Sequence, residues 1–138
     1  LDVPFEIIAI DDGSENSKRE NKAVCDKHTY IELPENIGRA RIRNLFLRYA
    51  HFDYLLFLDC DSLVESAQFL SHYVDIIKEI PSVVCGGRVY DLQPPERERM
   101  LSWKYGTLRE SQPSTTRQKF PFKSFMTNNF LIKKGLLE

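Results

Sequence analysis

Short apolar runs alternate along most of the chain with longer polar or amphipathic stretches. Residues 5–10, Phe5-Glu6-Ile7-Ile8-Ala9-Ile10, are mostly apolar and stop at Asp11-Asp12-Gly13-Ser14, the pattern of a buried strand that ends in a loop. Residues 17–28 are polar and predict an exposed helix, and residues 29–33 predict a second strand closed by Pro34. Asn36-Ile37-Gly38 then opens a helix in which Ile42, Leu45, Phe46 and Tyr49 recur at spacings of three and four. Tyr54-Leu55-Leu56-Phe57-Leu58 is the strongest strand signal, and it runs straight into Asp59-Cys60-Asp61-Ser62. Residues 67–80 place Phe69, Tyr73, Ile76, Ile77 and Ile80 on one helical face, and Val83-Val84-Cys85 forms a strand before Gly86-Gly87. Residues 90–121 are polar, basic and broken by prolines, which predicts a helical excursion with loop. Phe130-Leu131-Ile132 forms a last strand before Lys133 and Lys134.

Strands alternating with helices predict an α/β fold, an open and mainly parallel sheet flanked by helices. The 138 residues fit one domain. A hydrophobic share of 42% with 28% charged residues is ordinary globular composition and argues against disorder. Lys and Arg number 19 against 20 Asp and Glu, so no net field favours nucleic acid, and any anion site is local. Cys25, Cys60 and Cys85 are odd in number and widely spaced, which fits a reducing, cytoplasmic setting better than a disulfide or zinc framework. No apolar run reaches the roughly 20 residues that span a bilayer. The chain opens at Leu1 and enters a strand almost at once, and its end follows an apolar run without a stop signal, so the expectation is a fragment of a longer protein.

The chemistry sits at strand ends. In open α/β sheets ligands bind beyond the carboxyl ends of strands, so the loops at Asp12 and Asp61 are candidates for one crevice. A D-x-D just past a buried strand puts two carboxylates on a tight turn, which suits a hard cation, magnesium or manganese, that also takes phosphate oxygens. Solvated turn aspartates are the plain alternative.

Taken together, Glu6-Ile7-Ile8-Ala9-Ile10-Asp11-Asp12-Gly13-Ser14, Asn36-Ile37-Gly38 leading to Arg43-Asn44, and Leu56-Phe57-Leu58-Asp59-Cys60-Asp61 resemble the ordered motifs of family 2 glycosyltransferases with a GT-A fold. The resemblance runs from about Glu6 to the chain end, where Thr127-Asn128-Asn129-Phe130-Leu131-Ile132-Lys133-Lys134 is similar to the strand before the family's acidic catalytic loop. It implies a truncated GT-A domain, with residues 1–89 as the nucleotide-binding part and residues 90–138 as the start of an acceptor-side part. It also implies a nucleotide-diphosphate-sugar donor, with UDP as the family's usual nucleotide, and a glycan or lipid-linked acceptor. The nucleotide-binding residues it implies are Asp11, Asp12, Gly13, Ser14, Asp59 and either Arg39 or Arg43. Asp12 would contact the base, and Asp61, with Asp59, would hold Mn2+ or Mg2+. Transfer would invert the sugar's configuration, at the cytoplasmic side of a membrane to which the full protein associates peripherally. The family's first strand is missing unless it precedes Leu1, and the catalytic base is expected beyond Glu138.

Two other families share parts of the pattern. Residues 55–63 also resemble the strand and D-x-D of haloacid-dehalogenase-like phosphatases, with Asp59 as nucleophile and Asp61 as acid-base, but that reading leaves Asp11-Asp12-Gly13-Ser14 unexplained. A receiver-type signalling domain would use Asp11-Asp12 for magnesium and Asp59 for phosphate, yet the loop that should follow Asp59 is absent. His28, His51 and His72 are scattered, which points to surface or core roles, and Cys60 is expected as a small filler. Trp103 and Tyr105, with Arg97, Arg99, Lys104 and Arg109, form either an acceptor-side lid or a packing cluster.

Overall fold

The computed structural model describes every residue except Glu65, Ser124 and Glu138. The chain divides into two compact units, Leu1–Leu55 with Lys133–Glu138, and Leu56–Ile132.

In the first unit, β1 (Ile8–Asp11) lies parallel to β2 (Thr29–Glu32), with Ile10 opposite Ile31 and Asp11 opposite Glu32. The crossover between them contains α1 (Lys18–Val24). This helix is shorter than its polar stretch predicts, because Ser17 takes a left-handed φ of 60° and the chain turns again at Cys25. Helix α2 (Arg39–Tyr49) packs against β1. Its stripe residues Ile42, Leu45 and Phe46 are half-buried, whereas Tyr49 is exposed at the frayed end.

The second unit holds β4 (Val83–Cys85) and most of β5 (Asn129–Lys133) and of β3 (Tyr54–Leu58), with β5 lying between the other two strands. Phe130, Leu131 and Ile132 are buried, as the continuous apolar run requires of a central strand. β5 runs antiparallel to β4. The Asp59 N–H to Asn128 C=O bond and the Lys134 N–H to Asp53 C=O bond, both at the strand ends, make it antiparallel to β3 as well. β5 is therefore the exception to the expected parallel order. Phe130 stacks on Phe57 at 4.9 Å between ring centroids and meets Phe125 edge-on at 5.5 Å.

Helix α3 (Phe69–Ile77) contributes Tyr73, which is buried with Phe69 against its ring edge. Ile80 departs from the predicted stripe: it has a φ of 54° and is 72% exposed. The last turn tightens to i,i+3 hydrogen bonds, and Pro81 disfavours right-handed helix at the residue before it. The Tyr73 hydroxyl donates to Asn129 Oδ1 at 2.7 Å, and Asn129 Nδ2 donates to the Gly87 carbonyl at 3.2 Å. Burial pushes the Tyr73 pKa up to about 12. A Cβ on Gly86 would lie 2.0 Å from the Tyr73 oxygen, so this network needs glycine there. Tyr73→Phe leaves the Asn129 oxygen buried without its donor and is expected to lower unfolding free energy by about 1–2 kcal/mol in urea titrations.

The excursion after β4 contains α4 (Met100–Tyr105), which runs into a π-helical turn over Gly106–Glu110, and then α5 (Ser114–Lys119). Among the described residues no helix is long and apolar enough to cross a membrane.

Candidate functional site

The Asp11–Ser14 loop leaves β1 as a folded turn, not a solvated one. Asp11 is buried, and its Oδ1 accepts the Ser14 N–H at 2.7 Å while its Oδ2 accepts the Tyr30 hydroxyl at 2.9 Å. The Ser14 N–H is the main reason that the Asp11 carboxyl is held below its ordinary value of 3.8, with burial opposing it. A group whose folded pKa is depressed adds stability above its unfolded pKa, and that stability is lost as pH falls through the folded value. The urea midpoint is therefore expected to drop with acid below about pH 4, and the drop should be shallower in Asp11→Asn.

Asp12 faces the start of α2. Its Oδ1 accepts the Ile37 N–H at 2.6 Å and its Oδ2 accepts the Gly38 N–H at 3.0 Å. Gly38, the cap residue, has no side chain, so Asp12 supplies the acceptors from a distant part of the chain. Gly13 has a φ of 74°, and a Cβ there would lie 2.6 Å from the Glu35 carbonyl carbon, so the loop sits directly on the 35–36 backbone. Arg39 is exposed on the first turn of α2 and Arg43 is half-buried one turn on.

In the second unit, Asp59 and Asp61 occupy a turn closed by the Ser62 N–H to Asp59 C=O bond at 3.0 Å. Asp59 is half-buried and Asp61 exposed. Cys60 is exposed as well, at the corner of the turn, so it is not the buried filler its size suggested. Two carboxylates on a turn fit a hard cation that completes its shell with phosphate oxygens and water. No group of three His, Cys, Asp or Glu among the described residues could enclose an ion alone.

Next to this turn lies a cluster that the motifs did not reveal. The Tyr90 hydroxyl donates to Glu110 Oε2, the same oxygen accepts Arg88 Nη1 at 3.3 Å, and the Arg88 guanidinium lies 5.1 Å from the Tyr90 ring centroid. Burial raises the Tyr90 pKa, with the Glu110 hydrogen bond next, and the negative charges of Glu110 and Asp61 add to it. Its ring also covers Gly106, where a Cβ would lie 2.1 Å from it. The signal available in the sequence was Gly86-Gly87-Arg88-Val89-Tyr90 directly after a strand.

Trp103 Nε1 donates to the Asp91 carbonyl at 2.8 Å, which holds the indole to its own loop, while Tyr105 is exposed. All three histidines are exposed. His51 pairs with Glu6 at 2.9 Å.

The family model described as Glycosyl transferase family 2 matches residues 2–136. The chondroitin synthase of Pasteurella multocida (strain Pm70) is 30% identical over 129 residues, which cover 86% of this chain and 12% of that protein. The hyaluronan synthase of Pasteurella multocida is 29% identical over 96% of this chain and 13% of its own length. An uncharacterized glycosyltransferase of Bacillus subtilis (strain 168), YfnE, is 29% identical over 97% of this chain and 36% of its own. The chain thus spans about an eighth of the two named synthases. No solved structure gives a significant match.

Proposed function

Since the chain belongs to glycosyl transferase family 2, we propose that its protein transfers a sugar from a nucleotide-diphosphate-sugar donor, with uridine as the nucleoside, to a glycan or lipid-linked acceptor. The observation that carries this reading is the turn at the carboxyl end of β3, where Asp59 is half-buried and Asp61 exposed within the family match. Asp61 would hold magnesium or manganese directly, and Asp59 would bind the ion or its water shell. When bound, the metal stabilises the negative charge of the leaving diphosphate. Asp59 is tethered through its N–H to Asn128 and through its C=O to Ser62, so the turn presents Asp61 without first having to order itself.

In the first unit, the Asp11–Ser14 loop would take the nucleoside, and Arg39 or Arg43 would face its phosphates. The amides at the start of α2 are partly committed to Asp12, so in this reading Asp12 shapes the loop as well as meeting the base. An acceptor hydroxyl would attack in line and invert the anomeric centre, with a carboxylate as its base. Transfer would take place at the cytoplasmic face of a membrane, with the full protein attached peripherally.

The test is calorimetric titration of UDP into the chain, and into a version extended at both ends, with and without manganese. Binding that requires manganese supports the donor site. An extended protein that ignores UDP but turns over phosphomonoesters, or becomes phosphorylated on Asp59, overturns the reading.

A further inference from the structure

Within the second unit, the π-helical turn, α5 and the loop that follows enclose a cavity of about 360 Å3 lined by Leu108, Arg109, Thr116, Arg117, Phe120 and Lys123, with Gln112. We propose, resting on the glycosyl-transfer reading above, that this groove receives the carboxylate of an acidic sugar in the acceptor glycan.

Three cations and, among the described residues, no carboxylate line the cavity. Arg109 and Lys123 form no ion pair among the described residues, and the Lys123 ammonium lies 5.7 Å from the Phe120 ring centroid. Arg117 is anchored instead of free. Its Nη1 donates to the Cys85 carbonyl at 3.3 Å and its Nη2 to the Gly86 carbonyl at 3.5 Å. Neutral carbonyls fix the guanidinium without cancelling its charge, and its Nε is buried with no partner. Gly87 admits the group, since a Cβ there would lie 2.0 Å from Nη1. A second cavity of about 320 Å3 shares Arg109 and Lys123 and adds Phe122, Phe125, Met126 and Glu110. Glu110 is already paired with Arg88 and Tyr90, so it leaves the two shared cations to a ligand.

The lining also suits a sugar ring. Phe120 is 57% exposed and Phe122 99% exposed, and aromatic faces of negative potential suit the C–H face of a pyranose. Arginine pairs with carboxylate and with phosphate alike through charge-assisted hydrogen bonds, so a sugar phosphate has to be tested beside the uronate. The volumes fall at the small end of ligand pockets, roughly 300–1,000 Å3, enough for one or two sugar units.

The experiment compares three disaccharides by saturation-transfer NMR and calorimetry on the full chain: one ending in a uronate, its carboxyl-reduced counterpart and one ending in a sugar phosphate. UDP with manganese is titrated in parallel. The uronate is expected to bind about 10-fold or more tighter than the reduced sugar, and Arg109→Gln with Lys123→Gln should erase that preference while UDP binding stays. Equal binding of acid and reduced sugar, no binding of either, or a preference that survives the double variant overturns the proposal. So does preferential binding of the sugar phosphate, and so does a double variant that loses UDP, which would assign the groove to the donor. Uronate-selective binding by an extended protein that ignores UDP would keep the carboxylate site, without its acceptor role, and sink the transfer reading instead.

Discussion

Replacing Asp61 with alanine is expected to weaken manganese-dependent UDP binding by roughly 100-fold or more, with little change in folding stability. The first expectation follows from ligand count. A site with only two protein carboxylates relies on each of them, and even groups that merely orient metal ligands change affinity by about 10–100-fold. The second follows from position. Asp61 is exposed, and the turn that carries it is held by backbone bonds from Asp59 to Asn128 and Ser62, none of which uses the Asp61 side chain. Loss of binding in Asp61→Ala with an unchanged urea midpoint therefore isolates a binding role. Asp61→Asn keeps the size and one oxygen but loses the charge, so it should recover only a small part of the affinity. UDP binding that is equally tight in Asp61→Ala, or that never required manganese, would remove the metal from the turn.

Periodicity and strand-end chemistry in the sequence led to most of these elements, because a buried strand that stops at aspartates needs only local information. Residues 54–58 and 130–132 illustrate this: their continuous apolar runs are β3 and the buried middle of β5. What the sequence could not show is set by contacts between distant positions. Tyr73 and Asn129 are 56 residues apart, and only the fold explains why a tyrosine on an apolar stripe is needed for its hydroxyl. Ile80 looked like part of that stripe, but the helix closes there on i,i+3 bonds and its backbone turns left-handed. Arg88, Tyr90 and Glu110 form one network from a strand exit and a π-helical turn, and no short motif encodes such a pairing. Cys60 shows the opposite error: residue type suggested burial, whereas the turn geometry fixed exposure.

The largest stability effects should come from the Asp12–Gly13 loop, and they separate two roles for Asp12. Its carboxylate accepts two backbone N–H groups, from Ile37 and Gly38, at the entrance of a helix whose cap residue offers no side chain. Hydrogen bonds to a charged group contribute about 1.5–3 kcal/mol each, and non-additivity makes roughly 2–4 kcal/mol a reasonable loss for Asp12→Ala. Gly13→Ala should cost at least about 2 kcal/mol, since it adds a side chain at a left-handed φ and 2.6 Å from the backbone of Glu35. Both variants should also lose UDP binding, Gly13→Ala because the loop is displaced and Asp12→Ala for that reason with or without a lost base contact. Asp12→Asn is the discriminating change. It keeps one good acceptor for the helix amides, so the fold should lose about 1–2 kcal/mol, while an amide cannot accept from a base N–H through both of its outer atoms. If UDP affinity falls by an order of magnitude in Asp12→Asn, while Gly13→Ala at matched residual stability binds more tightly, Asp12 touches the nucleotide. If affinity follows stability across all three variants, its carboxylate serves α2 alone, and the nucleoside is held by other groups.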